Sequence, residues 1–353
     1  MKISDIKYLA AYIIPMMYFT ALLQGGWYTY MIVLFAFVLV PFLEWALPQS
    51  TSKFAPQEAE ERLSNSVFDV LLYVNLPMVW TAIAIFGIYV SNGLYATWEL
   101  VGLTISLGIL MGANGINVAH ELGHRSSKVE RIMSKLLLLP SFYLHFIIEH
   151  NRGHHRNVGT LSDPATARYG ESVYAFLWRS IINSYWHAWQ LERERLKEEG
   201  HAFWSFHNEM IRFTIFEVLY LAGLILLFNT TAVICLILAA VLSFVLLECI
   251  NYVEHYGLMR QKYESGMHER VRSHHSWNSN HHMGRIILYE LTRHSDHHYK
   301  SSKKYQVLEH HDRSPQLPFG YPTSILISLV PPLWFSIMNP RAKEYTGFEH
   351  TSL

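Results

Sequence analysis

Cysteine is nearly absent from this 353-residue sequence, which has only Cys235 and Cys249, both inside an apolar run. Neither a disulfide framework nor a paired Cys-x-x-Cys iron or zinc site can be built from them, and both read as small core side chains. Net charge is missing too, with 28 Lys and Arg balancing 28 Asp and Glu. No basic run carries interleaved aromatics, so nucleic acid is excluded as a partner. The first 119 residues contain no histidine, although the chain has 21. Most of the Lys and Arg also follow residue 119, so an apolar scaffold precedes a polar, ligand-rich portion.

What is abundant is apolar surface: 51% of residues are hydrophobic and 14% aromatic. Apolar runs long enough to cross a bilayer as helices occur at about 8–24, 27–47, 70–90, 98–118, 210–228 and 230–250. The first is followed by further runs and lacks a small-residue cleavage site, so it reads as an anchor rather than a signal peptide. The expected fold is an all-α integral membrane protein, one membrane domain over 1–353, with six transmembrane helices. Three connections, Gln24-Gly25-Gly26, Ser91-Asn92-Gly93 and Asn229-Thr230-Thr231, carry no Lys or Arg. Segments 48–69, 119–209 and 251–353 hold nearly all the basic residues, which by the positive-inside rule makes them cytoplasmic. Both termini and a histidine-rich cap formed by 119–209 and 251–353 then share that side.

Two more apolar stretches, 132–148 and 323–338, are divided by Pro140 and by Pro331-Pro332 and read as re-entrant or interfacial pieces. Carboxylates at the span ends, Glu44, Asp69, Glu99 and Glu248, suit snorkelling or hydration. Glu217 lies deeper and calls for a polar partner or a water-filled pocket.

Three histidine clusters follow apolar segments. His120-Glu121-Leu122-Gly123-His124 sets two imidazoles at i and i+4, one face of a helix continuing the fourth span. Glu149-His150-Asn151-Arg152-Gly153-His154-His155 repeats the spacing with a third histidine, and His294-Ser295-Asp296-His297-His298 repeats it again. His255 follows the sixth span. These nine donors exceed one metal's coordination and suit two, of iron, copper, zinc or nickel. The other twelve, His145, His187, His201, His207, His268, His274, His275, His281, His282, His310, His311 and His350, lack that frame and read as ordinary polar residues. The pairs His274-His275 and His281-His282 are the best metal candidates among them.

The strings HELGHR (120–125), EHNRGHHRNVGTLSDPATAR (149–168), NYVEHYGL (251–258) and LTRHSDHH (291–298) resemble the alkane 1-monooxygenase family, membrane members of the fatty-acid-desaturase-like superfamily. The histidine boxes alone would indicate the superfamily; the second and third strings are the specific ones. Thr292 departs from a position often held by Gln, at a place that is not a ligand. The resemblance implies two non-haem iron ions, dioxygen as co-substrate and terminal methyl groups of medium-chain n-alkanes as target. It makes His120, His124, His150, His154, His155, His255, His294, His297 and His298 the iron ligands. It also implies electrons from rubredoxin, with a reductase and NAD(P)H upstream. This chain lacks the four cysteines of a rubredoxin site, so the donor is a separate protein or a fused one outside the given sequence.

Ligating imidazoles need an acceptor at their second nitrogen, and Glu121, Glu149, Asp163, Glu254 and Asp296 are the candidates. Arg152, Arg156, Arg293, Lys303 and Lys304 could attract an acidic donor, although positive-inside topology also accounts for them. An alkane would reach the site laterally from the bilayer, through a slot walled by the first four spans. Rival readings are a desaturase or arene-methyl hydroxylase on the same centre, and a membrane zinc hydrolase using His120, Glu121 and His124. A metal transporter would need histidines midway through several spans, and the first four have none.

Overall fold

The computed structural model describes residues 3–346, so His350 lies outside the described residues. Six helices are long and apolar enough to cross a membrane: α1 (Asp5–Gln24), α2 (Gly26–Ala46), α4 (Val67–Ser91), α5 (Thr97–Gly123), α9 (Glu209–Leu227) and α10 (Thr230–His255). Between and after them lie α3 (Pro56–Ser64), α6 (Lys128–Leu138), α7 (146–157), α8 (Val173–Glu198), α11 (His282–Ile287), α12 (His294–Tyr299), α13 (Tyr321–Ser328) and α14 (Pro331–Thr346). There are no strands among the described residues, only the isolated bridges Lys262–His268 and Asn278–Gln316.

Local sequence explains the boundaries. Gly25 and Gly26, at φ 58° and 56°, turn the chain between α1 and α2 in a region costly for any side chain. The side chain of Asn208 accepts the Met210 amide at 2.9 Å, and that of Asn229 accepts the Ala232 amide at 2.9 Å, capping α9 and α10. α5 is the most buried span and packs on α10. Gly108 permits the approach, since a Cβ there would stand 2.8 Å from Leu242 and 3.0 Å from the Ala239 carbonyl.

α5 and α10 run past the expected ends at 118 and 250, so His120 and His255 ride on the spans themselves. The stretch 132–148 divides at the 3-10 turn Leu139–Ser141, with Phe142 left-handed at φ 51°. Pro331 opens α14 and so separates it from α13, as its fixed φ and missing N–H favour. Neither stretch adds to the six spans.

Two of the span-end carboxylates, Glu44 and Glu248, are buried where hydration was expected, and Asp69 and Glu99 stay partly exposed. Glu44 is buried and accepts the Gly284 amide at 3.0 Å. Glu248 is buried between the Tyr143 and Ser180 hydroxyls, which donate to it at 2.9 and 2.6 Å. Asp69 pairs with Arg125 and Lys304, and Glu99 accepts the Gly26 and Ala96 amides. Glu217 accepts the Leu144 amide at 3.1 Å and so holds the broken stretch against α9. Each of these carboxylates accepts from at least one internal donor, although Glu44 Oε2 is left buried without one.

Candidate metal centre

All nine histidines of the boxes meet, and they divide into two groups. His120, His124, His150, His155 and His297 form one; His154, His255, His294 and His298 form the other. Within each group the donor atoms lie within 4.8 Å of one another. The division does not follow the boxes. Residues 149–154 form a π turn, in which one turn takes more residues than in an α-helix. His150 therefore meets His155, Nε2 to Nε2 at 3.0 Å, while His154 turns away to His298 at 3.2 Å. In α12, His294 and His298 face each other at 2.8 Å, and His297 crosses to His155 at 3.2 Å.

The donor set fits metal ions. His298 Nε2 faces the Nε2 atoms of both His294 and His154, and His294 Nε2 faces that of His255 at 3.1 Å. Each such contact could be a hydrogen bond only if one nitrogen of the pair carried a proton, and several nitrogens have two such neighbours. His154 is assigned further: its Nδ1 lies 2.9 Å from the Asp163 carboxylate and donates there, which turns the lone pair of its Nε2 towards the group. His120 Nε2 is buried without a protein partner. Burial, reinforced by neighbouring imidazoles, holds His150, His294, His297 and His298 well below the ordinary histidine range, so they are neutral at pH 7. His154 departs: burial lowers it, but the charge and hydrogen bond of Asp163 outweigh that and raise it. Asp163 itself is lowered despite its burial, by His154 and by the Thr166 hydroxyl at 2.6 Å.

Of the five carboxylates expected behind the imidazoles, only Asp163 stands at the Nδ1 of a box histidine. Glu121 is drawn to Arg125 at 2.7 Å and to the Tyr305 amide, and Glu149 to His187 at 3.1 Å. Asp296 takes His311, Lys303 and the Glu309 amide. Glu254 faces the donor side instead: Oε2 lies 3.2 Å from His294 Nε2, and Oε1 accepts the Tyr321 hydroxyl. The Nδ1 atoms of His294 and His298 are buried without a protein acceptor.

The eleven described histidines among those set aside stay outside both groups. His274 and His275 gather with Glu269, but the Arg272 amide donates to His275 Nδ1 at 3.0 Å. The Nε2 of His275 therefore carries the proton and donates to Glu269 at 3.1 Å, leaving no lone pair for a metal.

An apolar slot reaches both groups. Ile14 of α1, Phe35 and Phe37 of α2, Ile109 and Ala113 of α5, and Leu247 of α10 line it, and His120, His150, His294 and Glu254 stand at its polar end. The third span contributes nothing and the sixth does, which corrects the expectation that the first four spans wall it. π turns at Phe35–Leu39 and Met111–Ile116 shape its sides. Sequence reasoning missed Tyr321, Asn117 and Asn251, also in the wall; NYVEHYGL contained Asn251 but gave no sign of its direction.

Of the five basic residues considered for an acidic partner, four are engaged. Arg293 is fully buried, bound to the carbonyls of Leu308 and Ser52, and so cannot dock anything. Arg152 pairs with Glu192, Lys303 with Asp296 and Glu309, and Lys304 with Asp69. Arg156, beside His155, is exposed.

Six apolar spans carrying two clustered sets of imidazoles, all buried except His124 and His155, define a multi-pass membrane protein of the histidine-box metalloenzyme class. Residues 96–324 match the fatty acid desaturase family. The chain is 40% identical to an alkane 1-monooxygenase of Ectopseudomonas oleovorans, over 83% of this chain and 73% of that protein. It is 36% identical to alkane 1-monooxygenase 2 of Alcanivorax borkumensis, over 98% and 92%. It is 28% identical to the xylene/toluene monooxygenase hydroxylase component of Pseudomonas putida, over 82% and 78%. The chain belongs to the alkane 1-monooxygenase family, and it is an oxidoreductase.

Proposed function

We propose that this protein hydroxylates the terminal carbon of medium-chain n-alkanes, using dioxygen at a di-iron centre held by its nine box histidines. The observation that carries this reading is the slot: a largely apolar lining that reaches His120 and His150 of one imidazole group and His294 of the other, with Glu254 beside them. His120, His124, His150, His155 and His297 would hold one iron, and His154, His255, His294 and His298 the other. The iron pair, reduced and supplied with dioxygen, provides the oxidising power that an unactivated primary C–H bond requires and that redox-silent zinc lacks.

The chain's own residues do the rest. A narrow slot accepts an extended chain end-on, so the terminal methyl reaches the centre before any internal carbon does. Ile109, Ala113 and Leu247 exclude water along the approach. Tyr321 donates to Glu254 and fixes that carboxylate beside His294. Asp163 holds the His154 ring by its Nδ1–H. The overall balance is alkane, dioxygen, two electrons and two protons giving alcohol and water.

The chain is read as one membrane domain, with termini and centre on the cytoplasmic face of a bacterial inner membrane. Rubredoxin is the proposed electron donor. Its approach is at the edge where His124 and His155 are partly exposed and Arg156 is open to solvent.

The test is product analysis. Iron-loaded membranes with rubredoxin, its reductase, NADH and octane should yield 1-octanol by gas chromatography, and His154→Ala should abolish it. Octene would point to desaturation. Turnover of a methylated arene without octane oxidation would point to arene-methyl hydroxylation.

A further inference from the structure

We infer that the protein binds one anionic phospholipid in a groove between α6 and α9 that shares no lining residue with the slot. The inference rests only on the chain being a membrane protein, and not on the proposed reaction. The groove, of about 410 Å³, is bounded by Leu136 and Leu139 on one side and Phe213 and Phe216 on the other. Lys135 and Arg212 stand at its rim. Its apolar wall is open, with Phe216 53% and Leu136 39% exposed, so something apolar covers it in the membrane.

The order of residues along α9 gives the occupant its direction. Glu209 and Arg212 lie in the first turn, at the end of the span on the histidine side, and Phe213 and Phe216 follow it into the apolar layer. A lipid lying along the groove would place its head group at Lys135 and Arg212 and an acyl chain against the two phenylalanines.

The charge decides which lipid. Glu209 bonds Lys135 at 2.9 Å and approaches Arg212 at 3.2 Å, so two cations share one carboxylate and a positive charge is left over. Both cations are partly exposed, at 34% and 41%, and free to reorient towards a phosphate. α6 adds Lys128 and Arg131, both exposed, on a helix that also exposes Val129 and Ile132. A basic amphipathic helix beside a span is the arrangement that attracts anionic lipid head groups.

The probe is phosphatidylglycerol. The protein would be reconstituted in nanodiscs of equal phosphatidylglycerol and phosphatidylcholine, released into the gas phase, and its retained lipids counted by native mass spectrometry. The wild type should keep one phosphatidylglycerol that Lys135→Gln/Arg212→Gln loses, with occupancy falling roughly tenfold or more for two cations. Glu209→Gln, which removes the competing carboxylate, should retain at least as much as the wild type. Its opposite direction separates the effect from misfolding. Equal phosphatidylglycerol retention in all three proteins would overturn the inference, as would phosphatidylcholine held as firmly as phosphatidylglycerol.

Discussion

Two carboxylates, Asp163 and Glu290, show how differently one functional group is used in this chain. Asp163 is bound by His154, the Thr166 hydroxyl and the Ala165 amide, so its role is to orient one imidazole. Asp163→Asn should weaken metal binding at the four-histidine group about 10- to 100-fold, read by metal content after dialysis, and leave the five-histidine group filled. Glu290 is structural. Burial raises it, but Arg285, Lys7 and Arg293 hold it down to about 2 from an ordinary value of 4.5. A lowered carboxyl contributes stability that is fully present above its unfolded value and is lost as pH falls from about 4.5 towards 2. The contribution is about 3 kcal/mol. The thermal midpoint in detergent should therefore fall steeply below pH 4.5, and Glu290→Gln should flatten that fall; an unchanged acid limb would refute the assignment. The residue types and spacings of the nine histidines were legible in the sequence, because three clusters at helical spacing do not arise by chance. The partners of Glu121, Glu149 and Asp296 were not, because each is bonded by a group far away in sequence or on another element, such as Tyr305, His187 or His311.

At the scale of elements, each of the six apolar runs falls on a helix long and apolar enough to cross a membrane, although α5 and α10 extend beyond theirs. The π turn of α7 was invisible. An i, i+4 reading puts His150 and His154 on one face, whereas the wider turn pairs His150 with His155 and sends His154 to the other group. The slot was equally hidden, because an apolar side chain facing a channel has the same sequence signature as one facing lipid. Ala113→Phe should fill the slot: octanol formation should drop on the order of a hundredfold while metal content stays unchanged. Retained activity would place the alkane elsewhere. Gly108→Leu should separate α5 from α10 and lower the unfolding midpoint in detergent, by overpacking of about 1–3 kcal/mol. An unchanged midpoint would show that the contact with Leu242 relaxes.

For the whole molecule, the division of labour visible in the sequence persists in three dimensions. The apolar N-terminal portion supplies three of the four spans that wall the slot or bear histidines, and the later segments close the centre from one side. Both α5 and α10 deliver a histidine from their last turns, so metal binding ties two spans to α7 and α12. Removing the metal should therefore loosen the fold as well as stop the reaction. The most direct test of the account is the metal content of the purified protein and of two variants, His120→Ala and His154→Ala, by plasma mass spectrometry. The account predicts about two irons per chain in the wild type and about one in each variant. One zinc per chain, lost with His120→Ala and indifferent to His154→Ala, would contradict it and favour the hydrolase reading.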